Sequence, residues 1–403
     1  MNNSWLNQEI IIKNKLIDLL PNKIYNLKDK KQLIIFINSR LNKKYTLNNF
    51  NNLEKIKNII INLNLTDLYE INNGENFNII KSNAIPNINI KKIKQYILDK
   101  KINISCSIFH NNKNILNYNN EIYAMHSIGK VFTGFLIMIL LNLKIITEKD
   151  INSPIQLDPT ILNTIPIKVK NRLKTTTMLD AMTHMSGLKD YLTKYFNALK
   201  INNKINPLNP EDFVKYIDDD VDKQGIFNYS NAGILLCGLS VKYLYNKNKK
   251  TNKTYNEILY EYIIKPSKIT TFSIIKPKNG IYNKMYKLSK FINGSPGGGY
   301  WISCYDLSLF GNFVINMCYN NKQIFTYLKK YGSEFYVDNY LIKHFGGLNG
   351  SRCVLSVYLK NKISIVIMDN DGNSTDLLHL GLNVFKDVKK PSNKTQKLKN
   401  YLH

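Results

Sequence analysis

The run Val131 to Leu141 carries no charge, and Thr133 is its only polar side chain. Such a run can be a membrane span or a helix covered on every side. It is too short to cross a bilayer, which takes about 20 apolar residues, and Lys130 and Lys144 flank it closely. It therefore reads as a buried core helix, and the chain must supply a body large enough to surround it. The composition permits that: 403 residues, 44% hydrophobic and 11% aromatic, exclude a disordered or purely solvating chain. At about 150 residues per domain the length fits two or three domains, or one α/β enzyme with an added segment.

The charge first suggests nucleic acid. Lys and Arg number 56 against 29 Asp and Glu, a formal net charge of +27. Arginine, however, occurs only at Arg40, Arg172 and Arg352, whereas recognition of phosphates and bases favours the forked guanidinium. Lys, Asn, Ile and Tyr are enriched together, and these are the residues of A+T-rich codons. Much of the charge is thus assigned to genomic base composition, and no specific nucleic-acid partner is predicted, although nonspecific attraction would remain.

Cys106, Cys237, Cys304, Cys318 and Cys353 are odd in number, widely spaced and set among apolar neighbours, so neither a disulfide framework nor a metal-ligand pair is expected. Met1 to Lys15 lacks a basic segment followed by a long apolar run. With no transmembrane segment in view, the expectation is an intracellular protein in a reducing compartment.

Along the chain, residues 1–85 look like a small helical extension with apolar residues such as Ile17, Leu20, Leu33 and Ile37 at helical spacing and no chemistry of their own. Asn83 to Asn89, with Pro86, reads as a linker. Ile90 to Leu98 reads as a short helix. Ile102 to Phe109 alternates as a strand, turns at Asn111 to Asn114 and returns through Ile115 to Tyr118. The Pro-rich middle, Asp150 to Asn228, suits helices and loops forming one wall of a cleft. Arg352 to Leu359 and Ile363 to Met368 read as two strands about a turn at Lys360 to Lys362, followed by a helix carrying Leu377, Leu380, Val384 and Val388 on one face. Residues 391–403 are a basic tail. The expected class is α+β: an antiparallel sheet flanked by terminal helices, with a helical subdomain beside it, over residues 86–390.

Ser127 and Lys130 stand at i and i+3 in the first turn of the apolar helix, where a serine lies near the positive end of the helix dipole and an amine could take its proton. Ser-x-x-Lys recurs at Ser186 to Lys189 and Ser273 to Lys276, so the pattern alone says little in a Lys-rich chain. Tyr229-Ser230-Asn231 is one of four Tyr-x-Asn triplets, the others beginning at Tyr118, Tyr195 and Tyr319. His344-Phe345-Gly346 has a counterpart at His379. Order, spacing and flanking residues carry the inference.

Taken together, four stretches and a fifth position make the region from Ile90 to Val388 resemble the serine β-lactamase and penicillin-binding-protein-like superfamily, in its branch of class C β-lactamases, D-Ala-D-Ala carboxypeptidases and esterases. Tyr123 to Gly134 is similar to the family's nucleophile helix. Thr177 to Leu188 resembles its His-x-Ser-Gly-Leu segment, which is structural in that family. Phe227 to Gly233 and Pro296 to Leu307 match a second motif and a glycine-rich segment, and His344 to Gly347 occupies the place of the third motif. The resemblance implies a β-lactamase/transpeptidase-like fold and catalysis without metal or organic cofactor.

The resemblance further implies that Ser127 attacks a carbonyl while Lys130 and Tyr229 share the proton. Asn231 would orient Lys130 and contact substrate. The N–H groups of Ser127 and Gly347 would form an oxyanion hole, about 2.7 to 4 kcal/mol for one donor. Gly346 would keep the strand open to substrate, and His344 would polarise the site. Two residues depart from the pattern. Phe345 stands where a small or hydroxyl-bearing residue is usual, and Lys343 where glycine is common. Phe345 cannot hydrogen-bond a substrate carboxylate, which suggests a neutral or hydrophobic acyl group, or a pocket that has lost its substrate. The Asn- and Lys-rich stretch Tyr245 to Thr254 reads as an inserted surface loop. The leading expectation is a serine hydrolase working through an acyl-enzyme on a small-molecule or peptide substrate that is an ester, amide or β-lactam-like compound, with esterase or peptidase activity favoured over efficient β-lactam hydrolysis. The rival from another class is a catalytically idle relative whose fold and basic surface serve interaction with protein or nucleic acid, and a third reading is an accidental match in a basic nucleic-acid-binding protein.

Overall fold

The computed structural model describes residues 95, 104–202, 207–282, 293–332, 336–338, 341–348 and 351–370. All of them fall in the second of the two compact units into which the chain divides, Pro86–His403. The expected N-terminal extension, the helix at Ile90 to Leu98 apart from Gln95, the closing helix at Leu377 to Val388, His379 and the basic tail lie outside the described residues.

A six-stranded antiparallel sheet runs in the order β2-β1-β9-β8-β7-β6. Its strands are β1 (Ile104–His110), β2 (Lys113–Tyr118), β6 (Tyr336–Asp338), β7 (Leu341–Leu348), β8 (Ser351–Tyr358) and β9 (Ile363–Asp369). The first hairpin closes more tightly than the sequence suggests: His110 pairs with Lys113, leaving only Asn111 and Asn112 in the turn. Both have positive φ, 49° and 65°, which asparagine tolerates and which matches the twist of a two-residue hairpin. Strand β1, near the start of the described region, pairs with β9 near its end, Ile104 opposite Asp369, so the two ends of the described region close one sheet.

A smaller sheet orders β4 (Gly280–Ile281), β3 (Ile122–Ala124) and β5 (Trp301–Ser303). Here β3 pairs antiparallel with β5 but parallel with β4. From β3 the chain enters a single 3-10 turn, His126–Ile128, and then the apolar helix α1 (Gly129–Asn142). Every residue of α1 from Gly129 to Leu141 is buried, which is why the run shows no polar face.

Three further helices build the surroundings of this turn and the support of the sheet: α2 (Leu192–Ile201), α3 (Asn231–Lys249) and α4 (Cys304–Asn320). α3 is capped at its start by the Ser230 hydroxyl, which accepts from Gly233 N–H. It runs on to Lys249, so Tyr245 to Lys249 is helix rather than loop, with Tyr245 buried; only Lys250 to Thr254 loops out. α4 packs on β1, β8 and β9. Its Asp306 is buried and its Oδ2 accepts from the N–H groups of Thr270 (2.7 Å) and Thr271 (2.6 Å) and from both threonine hydroxyls. All five cysteines are free and buried, and burial pushes the Cys106 and Cys318 thiols up to about 12. Among the described residues no helix is long and apolar enough to cross a membrane.

Candidate active site

Ser127 sits half-buried in the 3-10 turn that joins β3 to α1, and it lines a cleft. The turn is fixed by backbone contacts. Met125 N–H donates to Tyr300 O at 2.7 Å, and Gly299 N–H to His126 O at 3.1 Å. Gly298, at φ 134°, lies so near that a Cβ there would stand 2.1 Å from His126 O. The glycine-rich segment is thus a close backbone approach that only glycine permits.

Lys130 is 2% exposed, and its Nζ donates to Ser127 Oγ (3.1 Å), Asn231 Oδ1 (2.6 Å) and Gly297 O (2.6 Å). Two of its positions are taken by carbonyl oxygens, which can only accept. The third therefore faces Ser127 and can either give or receive a proton along that line. Tyr229, 42% exposed, donates from its hydroxyl to the same Oγ at 2.7 Å, and Lys130 Nζ stands 4.9 Å from its ring centre. An attacking Oγ thus has two partners for its proton, one buried and one open to solvent.

The segment His184 to Leu188 builds the support for Tyr229. His184 is buried, its ring 4.3 Å from that of Tyr229, and its Nδ1 accepts from Ser230 N–H at 3.1 Å. His184 O also accepts from Asn228 N–H at 2.8 Å.

Asp190 and Gly297 are site residues that the sequence does not reveal. Asp190 Oδ2 accepts from Asn231 Nδ2 (2.6 Å) and from Asn231 N–H (3.3 Å), and its Oδ1 accepts from Leu192 N–H. A carboxylate accepts only, so the Asn231 amide must turn its nitrogen to Asp190 and its oxygen to Lys130. Asp190 is thereby a positioning residue for the amine. Asp190→Ala is expected to slow labelling of Ser127 about 10- to 100-fold, the worth of one hydrogen bond to a charged group, and to shift the pH profile of labelling. Asp190→Asn, which keeps an acceptor, should recover part of the rate. An unshifted profile in the alanine variant would contradict the assignment. Aspartate two residues beyond Leu188 is the one available signal; the Gly297 carbonyl offers none, because a backbone oxygen has no residue type.

The third motif is divided by the pleat of β7. His344 and Gly346 share one face. His344 is buried, its Nδ1 is 2.7 Å from Phe345 O, and it is not among the residues lining the cleft beside Ser127. Gly346 packs against the 3-10 turn that carries Ser127, where a Cβ would stand 2.3 Å from Met125 O and 3.1 Å from Ser127 N. Its task is this close approach rather than an opening to substrate. Gly347 is exposed and does line the cleft, together with Ser127, Asn231 and Gly297. Phe345 lies on the opposite face from His344, opposite Val354 and, one strand further, Ile367. Lys343 shares that face, its Nζ 4.7 Å from the Phe345 ring, and burial lowers its ammonium to about 8. Phe345 is half-buried and is not among the residues lining the cleft beside Ser127.

His126, beside Ser127, is buried at φ 47° and hydrogen-bonded to the Ser351 hydroxyl. Burial first, and the Lys130 charge second, lower its imidazole from 6.5 to about 4. In the unfolded chain the ring takes up its proton near 6.5, in the folded one near 4. The stability of the neutral ring is thus whole above about pH 6.5 and is lost as pH falls towards 4, roughly 3 kcal/mol at most. His126→Asn, which tolerates the left-handed backbone, should flatten the fall in Tm over that window. Parallel Tm curves for the two proteins would overturn this.

Among the described residues no group of His, Cys, Asp or Glu is placed to hold a metal ion. The Beta-lactamase family model matches residues 108–383. Similar solved structures include a D-stereospecific amidohydrolase from Streptomyces sp., 17% identical, covering 69% of this chain and 92% of its own at a TM-score of 0.53. The octameric penicillin-binding protein homologue from Pyrococcus abyssi is 18% identical over 73% of this chain and 78% of its own, TM-score 0.52. A penicillin binding protein from Bacillus halodurans is 14% identical over 73% and 99%, TM-score 0.56. At these identities the likeness is one of fold. No curated protein matches the chain in sequence.

Proposed function

The chain belongs to the Beta-lactamase family, and on that footing we propose that it is a serine hydrolase that forms an acyl-enzyme on Ser127, with an ester or amide as substrate. The observation that carries the reading is the convergence of Lys130 Nζ and Tyr229 OH on one oxygen, Ser127 Oγ, at 3.1 and 2.7 Å. In the first half-reaction Oγ bonds to the carbonyl carbon and its proton passes to the Lys130–Tyr229 pair. The carbonyl oxygen gains the negative charge and is held by the N–H groups of Ser127 and Gly347, two cleft-lining residues. Collapse breaks the bond to the leaving group, which takes its proton from Tyr229, the solvent-facing partner. Water then repeats the sequence on the acyl-enzyme, and Ser127 is restored.

Esterase or amidase action is favoured over hydrolysis of acidic β-lactams, because among the described residues the cleft lining holds no Lys or Arg to meet a free carboxylate. The test is to incubate the full chain with a fluorophosphonate and, separately, with a fluorescent penicillin and to weigh the intact protein. A single fluorophosphonate adduct is expected. Well-folded protein that takes up neither probe would overturn the proposal.

A further inference from the structure

The open cleft beside Ser127 spans about 480 Å³, bulk solvent at its mouth included, and one of its walls is aromatic. Tyr191, Tyr195, Phe196 and Phe213 form that wall, with Leu192 beside them and Leu348 from the end of β7 also in the lining. These rings are not loose. Phe213 lies 5.3 Å from Tyr191 and 5.2 Å from Tyr195, and Tyr195 lies 5.6 Å from Phe196, centre to centre. The Tyr191 hydroxyl is hydrogen-bonded to Ser295 Oγ at 3.0 Å, which fixes that ring by its polar tip. A ligand ring would extend a cluster already in place, with little ordering left to do.

The side of the scissile bond follows from Tyr229. In the proposed reaction Tyr229 gives its proton to the leaving group, and Tyr229 is absent from the lining while Gly347 and Asn231 are part of it. The leaving group therefore departs on the open side and the acyl group occupies the wall side. Charge follows from the lining too. Its one titratable side chain besides the tyrosines, among the described residues, is His126, neutral down to about 4. The lining offers a carboxylate no cation of its own, and the nearby Lys130 amine is already engaged by Ser127, Asn231 and Gly297.

We propose that the acyl group this enzyme prefers is neutral and aromatic, seated on Tyr191, Tyr195, Phe196 and Phe213. This rests on the serine hydrolase reading above and adds the substrate class to it. The aromatic residues near Tyr191 to Phe196 are recognisable in the sequence, but Tyr195 enters there only as one of the spare Tyr-x-Asn triplets.

The experiment compares methyl thioesters of phenylacetic, butyric, acetic and succinic acids, whose common leaving group is too small to use the wall itself. The expected result is a kcat/KM for phenylacetyl at least about tenfold above acetyl, and for butyryl at least about tenfold above succinyl, its acidic neighbour in length. Phe196→Ala, at a half-buried position, should cut the phenylacetyl-to-acetyl ratio to about a third or less. A flat series, or a preference for succinyl, with fluorophosphonate labelling of Ser127 intact, overturns the aromatic acyl site and leaves the hydrolase reading standing. Loss of both labelling and thioester turnover overturns the hydrolase reading, and the acyl site with it.

Discussion

Ser127→Ala is expected to abolish the fluorophosphonate adduct and to lower turnover by a factor on the order of 10⁴ to 10⁶. The size follows from geometry. Lys130 and Tyr229 both direct hydrogen bonds at Oγ, and both are useless to the reaction once that atom is gone. Residual rate would come from the oxyanion donors and from binding alone. The fold should be untouched: Ser127 is half-buried, and its turn is held by Met125, Gly298 and Gly299 rather than by the hydroxyl. Intact mass after probe treatment, beside a thermal melt of each protein, checks both halves. An adduct of equal yield on the alanine variant would move the nucleophile elsewhere.

Asp306→Ala should be the most damaging change to stability, about 3 to 5 kcal/mol. One buried carboxylate oxygen receives two backbone N–H groups and two hydroxyls from Thr270 and Thr271. Its removal strands all four, and a carboxylate in the first turn of α4 is also favoured by the helix dipole. The effect reaches the cleft by a short path. Thr271 Oγ1 accepts from Ser303 N–H at 2.9 Å, Ser303 ends β5, and β5 pairs with β3, which leads into Ser127. Urea unfolding should show a lower midpoint at an unchanged slope. A loss under about 1 kcal/mol would contradict the account.

Local pattern and chemically distinctive side chains are what the sequence makes legible. The Asn111 hairpin, the buried α1 and the β8–β9 pair follow from apolar spacing and turn residues, with ends shifted by one or two positions. Ser127, Lys130, Tyr229 and Asn231 stand together although Lys130 and Asn231 are about a hundred residues apart, and they are recognisable because their types and flanks are unusual in combination. Where parity along a strand decides, the sequence is a poorer guide. Phe345 looks like a substrate contact, yet its strand brings Gly347 and Leu348, and not Phe345, to the lining of the cleft. Gly346 looks like space for substrate, whereas it is space for the Met125 to Ser127 backbone. The aromatic wall needs tertiary structure, because Phe213 joins Tyr191 and Tyr195 only once the chain between them has folded back.

The buried thiols give this protein a set of internal clocks. Alkylation proceeds through the thiolate, and burial holds the Cys106, Cys304, Cys318 and Cys353 thiols far from ionising at neutral pH. A soluble alkylating reagent can therefore modify them only while the surrounding structure is open, and the rate at each site measures how often that part opens. Cys106 times β1, Cys353 times β8 at the middle of the sheet, and Cys304 and Cys318 time the two ends of α4. The chain carries, without any engineered label, its own means of recording the order in which its layers come apart.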